Sequence, residues 1–219
     1  VLFRSRMVQE QIHQLASQGL RVLGVAESTF SGQNLPENQQ DFDFRFVGLI
    51  ALEDPIRPDV PASIRECTQA GIRVLMLTGD YPETARSIAR QLSLPDEVLS
   101  GADLAQLDDL KLQQKIRKVS IFARVSPEQK LRIIMALKTC GERVAMTGDG
   151  VNDAPSLKWS DIGVAMGGRG TDVARESADL VLLDDSFTSM VTAIHQGRRI
   201  YDNLQKAIFY VLSVHVPIA

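Results

Sequence analysis

The sequence predicts an α/β protein, a parallel sheet flanked by helices with a further helix at its C-terminal end. Three observations carry this reading. Short apolar runs alternate with stretches of helical period along the 219 residues, the pattern of successive strand–helix–strand units. Two of the runs end in a hydroxyl, a glycine and an acid, Thr78-Gly79-Asp80 and Thr147-Gly148-Asp149. Ligands of open parallel sheets bind outside the carboxyl ends of the strands, where such loops lie. The hydrophobic content of 44% suits an ordinary globular core.

From the N-terminus, residues 7–19 repeat apolar positions at helical spacing and close on Gly19. Residues 21–26 predict a strand. Residues 27–43 (ESTFSGQNLPENQQDFD) are polar and read as a connection between two units. Residues 46–52 predict the next strand. Residues 59–70 predict a helix with Val60, Ile64 and Cys67 on one face and Gly71 beyond its end. A strand over 72–77, a helix over 82–92 and a strand over 119–123 follow. The helix over 127–139 carries a start signal: Ser126 as N-cap, Pro127 as first residue, Gln129 as capping-box partner. Residues 143–146, 162–165 and 180–183 are further short strands. There is no internal repeat and no long low-complexity tract.

Composition bounds the partners. A net charge of −3 makes no electrostatic case for nucleic acid. Cys67 and Cys140 are too few for a disulfide framework and are expected as reduced, buried thiols. Residues 207–219 (AIFYVLSVHVPIA) carry no formal charge with His215 neutral, and Arg198, Arg199 and Lys206 precede them. This pattern predicts the start of a membrane span with its basic flank on the cytoplasmic side, since a full span needs about 20 residues. A buried soluble helix is the plain alternative.

The chemistry centres on Thr147-Gly148-Asp149-Gly150-Val151-Asn152-Asp153-Ala154-Pro155. Asp149 and Asp153 stand in a glycine-bearing turn after an apolar run, the layout of a Mg²⁺ and phosphate site. Mg²⁺ takes one or two carboxylates and shares its remaining shell with water and phosphate. Gly148 and Gly150 are expected to let the backbone turn where a β-carbon would resist. The bland reading is a polar loop whose acids cap a helix. Thr78 and the Gly79 N–H together can bind a phosphoryl oxygen. Lys130 falls in the first turn of its helix, where a cation opposes the helix dipole. Local stability therefore does not explain it, and phosphate binding does.

These residues carry a resemblance. Thr78, Lys130 and the paired-Asp loop match the second, third and fourth motifs of the haloacid dehalogenase superfamily, with its Rossmann-like sheet. TGDGVNDAPSL over 147–157, Asp54-Pro55-Ile56-Arg57, Thr78-Gly79-Asp80, and Phe122-Ala123-Arg124-Val125 with Lys130 resemble more narrowly the P-type cation-transporting ATPases. The similarity runs over about residues 8–219. It implies ATP and Mg²⁺ as cofactors, an aspartyl-phosphate intermediate, a transported cation and a multi-pass membrane parent. It implies that Asp149 and Asp153 serve the metal, that Asn152, Lys130, Thr78 and Gly79 serve the phosphoryl group, and that Asp54, Arg57, Asp80 and Arg124 hold nucleotide. Arg21 resembles an ATP-phosphate contact; a surface arginine at a strand start is the alternative.

By the same resemblance, residues 1–40 are the end of the nucleotide-binding domain and 41–195 the phosphorylation domain without its first strand. Residues 196–219 are a stalk, through Gly197-Arg198-Arg199-Ile200-Tyr201-Asp202-Asn203, and a truncated membrane helix. The family's nucleophile segment, Asp-Lys-Thr-Gly-Thr, is absent from these residues, as is the actuator's Thr-Gly-Glu loop. The chain is therefore expected to be a fragment, inactive and prone to aggregate through unpaired strand edges. Leu2-Phe3-Arg4-Ser5 matches the translation of a common sequencing-adapter end, so residues 1–5 are expected not to be natural. His215 and Ile218 stand near the level where the calcium pumps carry an Asn and a Glu ligand, Pro217 would free a backbone carbonyl, and His215 is either a pathway residue or an interhelical hydrogen-bonding group. Two other classes stand open: a soluble phosphatase of the same superfamily, and a noncatalytic regulatory module with this fold.

Overall fold

A computed structural model of the chain describes residues 6–30 and 35–215. The α/β expectation holds. Helix α1 (Arg6–Ser17) and strand β1 (Arg21–Glu27) are followed by β2 (Arg45–Leu52), α2 (Val60–Gln69), β3 (Met76–Leu77) and α3 (Pro82–Gln91). Then come β4 (Val98–Ser100), α4 (Gly101–Ala105), α5 (Asp109–Ile116), β5 (Ile121–Ala123) and α6 (Pro127–Thr139). The chain continues through β6 (Ala145–Gly148), α7 (Ala154–Trp159), β7 (Ile162–Met166), α8 (Asp172–Ser177), β8 (Leu180–Leu182) and α9 (Phe187–His215). Helices α1 and α2 end before Gly19 and Gly71, which take left-handed φ of 86° and 74°.

The described residues divide into two compact units: the chain up to Ile56 with Leu75–Gln129, and Arg57–Val74 with everything from Lys130 on. In the first unit β3, β5 and β4 form a parallel sheet in that order. Its core is Ala85 and Ala89 of α3 against Ile121 and Ala123 of β5, with Met76, Leu94 and Val98 packed on them. Burying each of the larger side chains contributes about 1.5–3 kcal/mol. In the second unit β6, β7 and β8 form another parallel sheet. There Leu157, Ala165 and Ala174 make the core with Met146 and Ala178.

Several expectations need correction. Strands β1 and β2 are not part of a parallel sheet: they pair antiparallel, Arg21 opposite Leu52, with a register shift at Val25/Ala26. No crossover helix separates them, so nothing forces a parallel return. The polar connection is more than a linker. It holds a short 3₁₀ turn at Gln39–Asp41. Phe42 packs edge-on against Phe30 at 5.8 Å and tilted against Phe44 at 5.9 Å. The strand expected over 72–77 shrinks to Met76–Leu77, because its partner β5 begins at Ile121 and offers only Ile121 and Phe122 in register. The strand expected over 143–146 lies at Ala145–Gly148 and so includes Thr147 and Gly148. Cys67 is buried, but Cys140 is only half-buried.

Among the described residues no helix is long and apolar enough to cross a membrane. The expected start of a span is therefore not met there. Residues 207–215 of α9 rise only about 13 Å at 1.5 Å per residue, against a hydrocarbon core of about 30 Å. Arg198, Arg199, Asp202 and Lys206 lie in the same helix. Pro217 and Ile218 fall outside the described residues, as does the adapter-like Leu2-Phe3-Arg4-Ser5.

Candidate active site

The site of the second unit grows from the end of β6. Gly148 closes that strand, and a β-carbon there would stand 2.7 Å from Cβ of Asp153. Only glycine lets the strand end and the Asp153 side chain approach this closely. The expectation for Gly150 is corrected: it has φ −100° and ψ 159°, extended backbone open to any residue. A 3₁₀ turn at Val151–Asp153 then leads into α7. This turn buries Asp153, which is 8% exposed, and leaves Asp149 and Asn152 in solvent.

Lys130 is the partner of Asp153. Its Nζ lies 2.7 Å from Oδ1, with the two side chains 17% and 11% exposed. The other carboxylate oxygen accepts a long bond of 3.4 Å from the Gly150 N–H. The sequence places Lys130 against the helix dipole, and the structure supplies the reason it is tolerated there. The capping box below it forms as expected: Gln129 N–H donates to Ser126 Oγ at 3.3 Å and Ser126 N–H to Gln129 Oε1 at 3.0 Å.

Asp149 differs from Asp153 in kind. Among the described residues its carboxylate makes no ion pair and no hydrogen bond, while its backbone carbonyl accepts the Thr171 N–H at 2.9 Å. An exposed carboxylate with no partner among the described residues fits Mg²⁺, which needs few protein ligands and keeps its own waters. No group of three or more His, Cys, Asp or Glu side chains is arranged for a metal among the described residues. Of the two acids expected to serve the metal, Asp149 is exposed and Asp153 is paired with Lys130.

In the first unit Thr78 follows β3, its N–H donating to Phe122 O at 2.9 Å. Its hydroxyl lies 3.1 Å from Asp80 Oδ2 and accepts the Asp80 N–H at the same distance. The turn thus ties Thr78 to Asp80 and leaves the Gly79 backbone exposed. Arg124 adopts a left-handed φ of 55°, which costs a non-glycine residue of order 1–3 kcal/mol. Its guanidinium carbon stands 4.5 Å over the ring of Tyr81, and its N–H donates to Asp80 O at 3.1 Å. Thr78, Gly79, Asp80 and Arg124 are therefore one local cluster. Tyr81 belongs to it and was missed in the sequence, where a lone aromatic before Pro82 gave no signal.

The remaining expected nucleotide contacts are dispersed. Arg21 opens β1 and is exposed, and Asp54 is exposed after β2. Arg57 lies in the second unit, where its Nη1 donates to the backbone carbonyl of Asp185 at 2.5 Å. Asp185 and Thr171 were also missed. The run Gly167-Gly168-Arg169-Gly170-Thr171 and the pair Asp184-Asp185 were the available signals.

A family model for haloacid dehalogenase-like hydrolases matches residues 5–161. The chain is similar to Calcium-transporting ATPase 1 of Bacillus cereus, 45% identical over 209 residues, covering 94% of this chain and 24% of that protein. Calcium-transporting ATPase 1 of Saccharomyces cerevisiae is 46% identical over 215 residues, with 95% and 23% covered. The Cation-transporting ATPase pma1 of Synechocystis is 44% identical over 214 residues, with 95% and 24% covered. The chain spans about a quarter of the length of these relatives.

Proposed function

The chain belongs to the haloacid dehalogenase-like hydrolases, and from that premise we propose that it is the phosphorylation part of a P-type cation-transporting ATPase. The observation that carries this reading is the Lys130–Asp153 pair of 2.7 Å beside the exposed, unmatched Asp149. It is a charge arrangement built to receive phosphate and Mg²⁺ rather than to stabilise a turn.

The roles follow from the chemistry of each group. Asp149 would hold Mg²⁺ together with Asp153, and the ion would supply charge neutralisation on a phosphoryl group. The Asp153 carboxylate keeps the Lys130 ammonium in place. Lys130, the Thr78 hydroxyl and the Gly79 N–H neutralise phosphoryl charge, and the Asn152 amide donates to a phosphoryl oxygen. Little bond chemistry is asked of these groups, so positioning and charge stabilisation dominate. Arg21, Asp54, Arg57, Asp80 and Arg124 are assigned to nucleotide. Arg57 reaches that role only by releasing Asp185. The phosphorylated aspartate has no counterpart among these 219 residues.

We assign residues 1–40 to the nucleotide-binding domain, 41–195 to the phosphorylation domain and 196–219 to a stalk. The parent is a membrane protein that uses ATP and moves a cation; the names of its relatives make Ca²⁺ the first ion to test.

The test has two parts. The 219-residue chain incubated with γ-labelled ATP and Mg²⁺ is expected to give no acid-stable phosphoprotein, and stoichiometric label would overturn the assignment of the nucleophile elsewhere. In the intact parent, Asp149→Asn is expected to weaken Mg²⁺-dependent phosphoenzyme formation strongly. An unchanged Mg²⁺ dependence and phosphoenzyme level would remove Asp149 from the metal site.

A further inference from the structure

We propose that Asp185 is a positioning residue that ties the Asp149 loop to the start of helix α9. The inference rests on the metal role proposed for Asp149, and its geometry lies entirely within the second unit.

The connection begins at Asp149, whose carbonyl accepts the Thr171 N–H at 2.9 Å. Thr171 ends the glycine loop between β7 and α8, and its hydroxyl caps α8 by accepting the Ala174 N–H at 3.3 Å. The loop is held from within by Arg175, whose guanidinium donates to the carbonyls of Gly167 and Gly170. It is packed without slack: a β-carbon on Gly170 would fall 1.9 Å from the Met166 carbonyl oxygen. A shift of the Asp149 backbone therefore cannot be absorbed inside the loop.

Asp185 grips the loop from the other side. Its two carboxylate oxygens accept the N–H groups of Gly168 and Arg169, each at 2.9 Å. Its side chain is only 14% exposed, and bonds from two backbone N–H groups to one carboxylate are charge-assisted. Arg57 Nη1 fastens its carbonyl at 2.5 Å. Asp185 stands two residues before α9, and the next contacts belong to that helix. Asp184 accepts the Ser186 N–H at 3.1 Å and the Ser189 hydroxyl at 2.6 Å.

The backbone argues that the carboxylate is the reason for this residue. Asp185 adopts a left-handed φ of 52°, where glycine would sit without strain. A turn needing only its shape would be met by glycine. Aspartate is among the few other residues that enter this region, and what it adds over glycine is the double grip on the loop.

The experiment compares three forms of the 219-residue chain by amide hydrogen exchange: the unaltered chain, Asp185→Asn and Asp179→Asn. Asparagine tolerates the left-handed region, so Asp185→Asn removes the charge and one acceptor while keeping the turn. Asp179 accepts the Gly163 N–H at 2.8 Å at the opposite end of β7 and reports general loss of stability. In Asp185→Asn, exchange over 166–172 is expected to rise about tenfold and to rise with it over 148–153 and 187–192. Asp179→Asn should leave 148–153 and 187–192 unchanged. An effect of Asp185→Asn confined to 166–172, or the same spread from Asp179→Asn, overturns the proposal.

Mn²⁺ followed by its spectroscopic signal separates this from the metal reading. Asp149→Asn should abolish Mn²⁺ retention, and Asp185→Asn should weaken it severalfold at unchanged stoichiometry. If Asp149→Asn retains Mn²⁺ as the unaltered chain does, the metal role fails while exchange still decides the coupling. If Asp185→Asn spreads exchange yet binds Mn²⁺ normally, its positioning role toward the site is lost.

Discussion

Lys130 and Asp153 are each costly to bury alone and tolerable together. Removing one partner of such a pair leaves an uncompensated charge and costs about 3–5 kcal/mol. Lys130→Met should therefore lower the denaturation midpoint markedly. Adding Asp153→Leu should recover part of the loss, a coupling that a double-mutant cycle measures; additive effects would mean the two do not interact. Asp161 sets a pH dependence. Its carboxyl lies below the ordinary 3.8, chiefly because the Val144 N–H donates to it, with Arg143 and Lys138 adding to the effect. A carboxyl lowered in the folded state stabilises the fold above its ordinary value, and the contribution is lost as pH falls through the folded one. Stability of the unaltered chain should fall more steeply below about pH 4 than that of Asp161→Asn, read by urea titration at successive pH values; parallel curves would refute it. Cys67 shows the opposite case. Burial first, then Glu66, push its thiol above the ordinary 9.0, against the charge of Arg198. The caps at this scale were legible because they are local: Ser126 and Gln129 meet within one turn. The Tyr81–Arg124 stack was not, since it joins residues brought together only by folding.

Among the helices, those long enough to show a period were legible and the shortest were not, while the short strands over 162–166 and 180–182 showed as apolar runs. Helices α1, α2, α3 and α6 carry ten or more residues each and follow the expected spans closely. Helices α7 and α8 have six residues each, too few for a 3.6-residue repeat to declare itself. They form because β7 gives each a surface to cover. The β6 turn makes a prediction of its own. Gly148→Ala should disturb the Asp153 side chain 2.7 Å away, at an overpacking cost of about 1–3 kcal/mol, and weaken Mn²⁺ retention. An alanine variant with unchanged stability and retention would show that the loop yields. Helix α9 is the other lesson. Of its 29 residues only Val191 is buried, so its length is set by helical continuity rather than by packing in this chain.

At the scale of the molecule, the chain passes between its two units at Ile56/Arg57, Val74/Leu75 and Gln129/Lys130. Neither unit is a continuous segment. The second borrows α2, which packs on α9 through Ser63 Oγ to Thr188 Oγ1 at 3.0 Å and Thr188 Oγ1 to Asp59 at 2.9 Å. A segment 130–219 produced alone should thus lack part of its packing. Adding a peptide of residues 57–74 should raise its denaturation midpoint in a concentration-dependent manner, as binding linkage requires. No response to the peptide would show that α2 contributes nothing to that unit.

The sequence by itself determined the α/β class, the long helices with their ends, and the three loops proposed to carry the chemistry, because periodicity, capping residues and glycine–acid turns act over a few residues. It also placed Asp149 and Asp153 in one turn. Only the tertiary structure decided that the two acids differ in setting, Asp153 buried on Lys130 and Asp149 open. That choice depends on the approach of α6 to the turn and on the missing β-carbon of Gly148. The antiparallel pairing of β1 with β2, and the grip of Asp185 on a loop sixteen residues earlier in the chain, were likewise decided by contacts between distant segments, which no local pattern encodes.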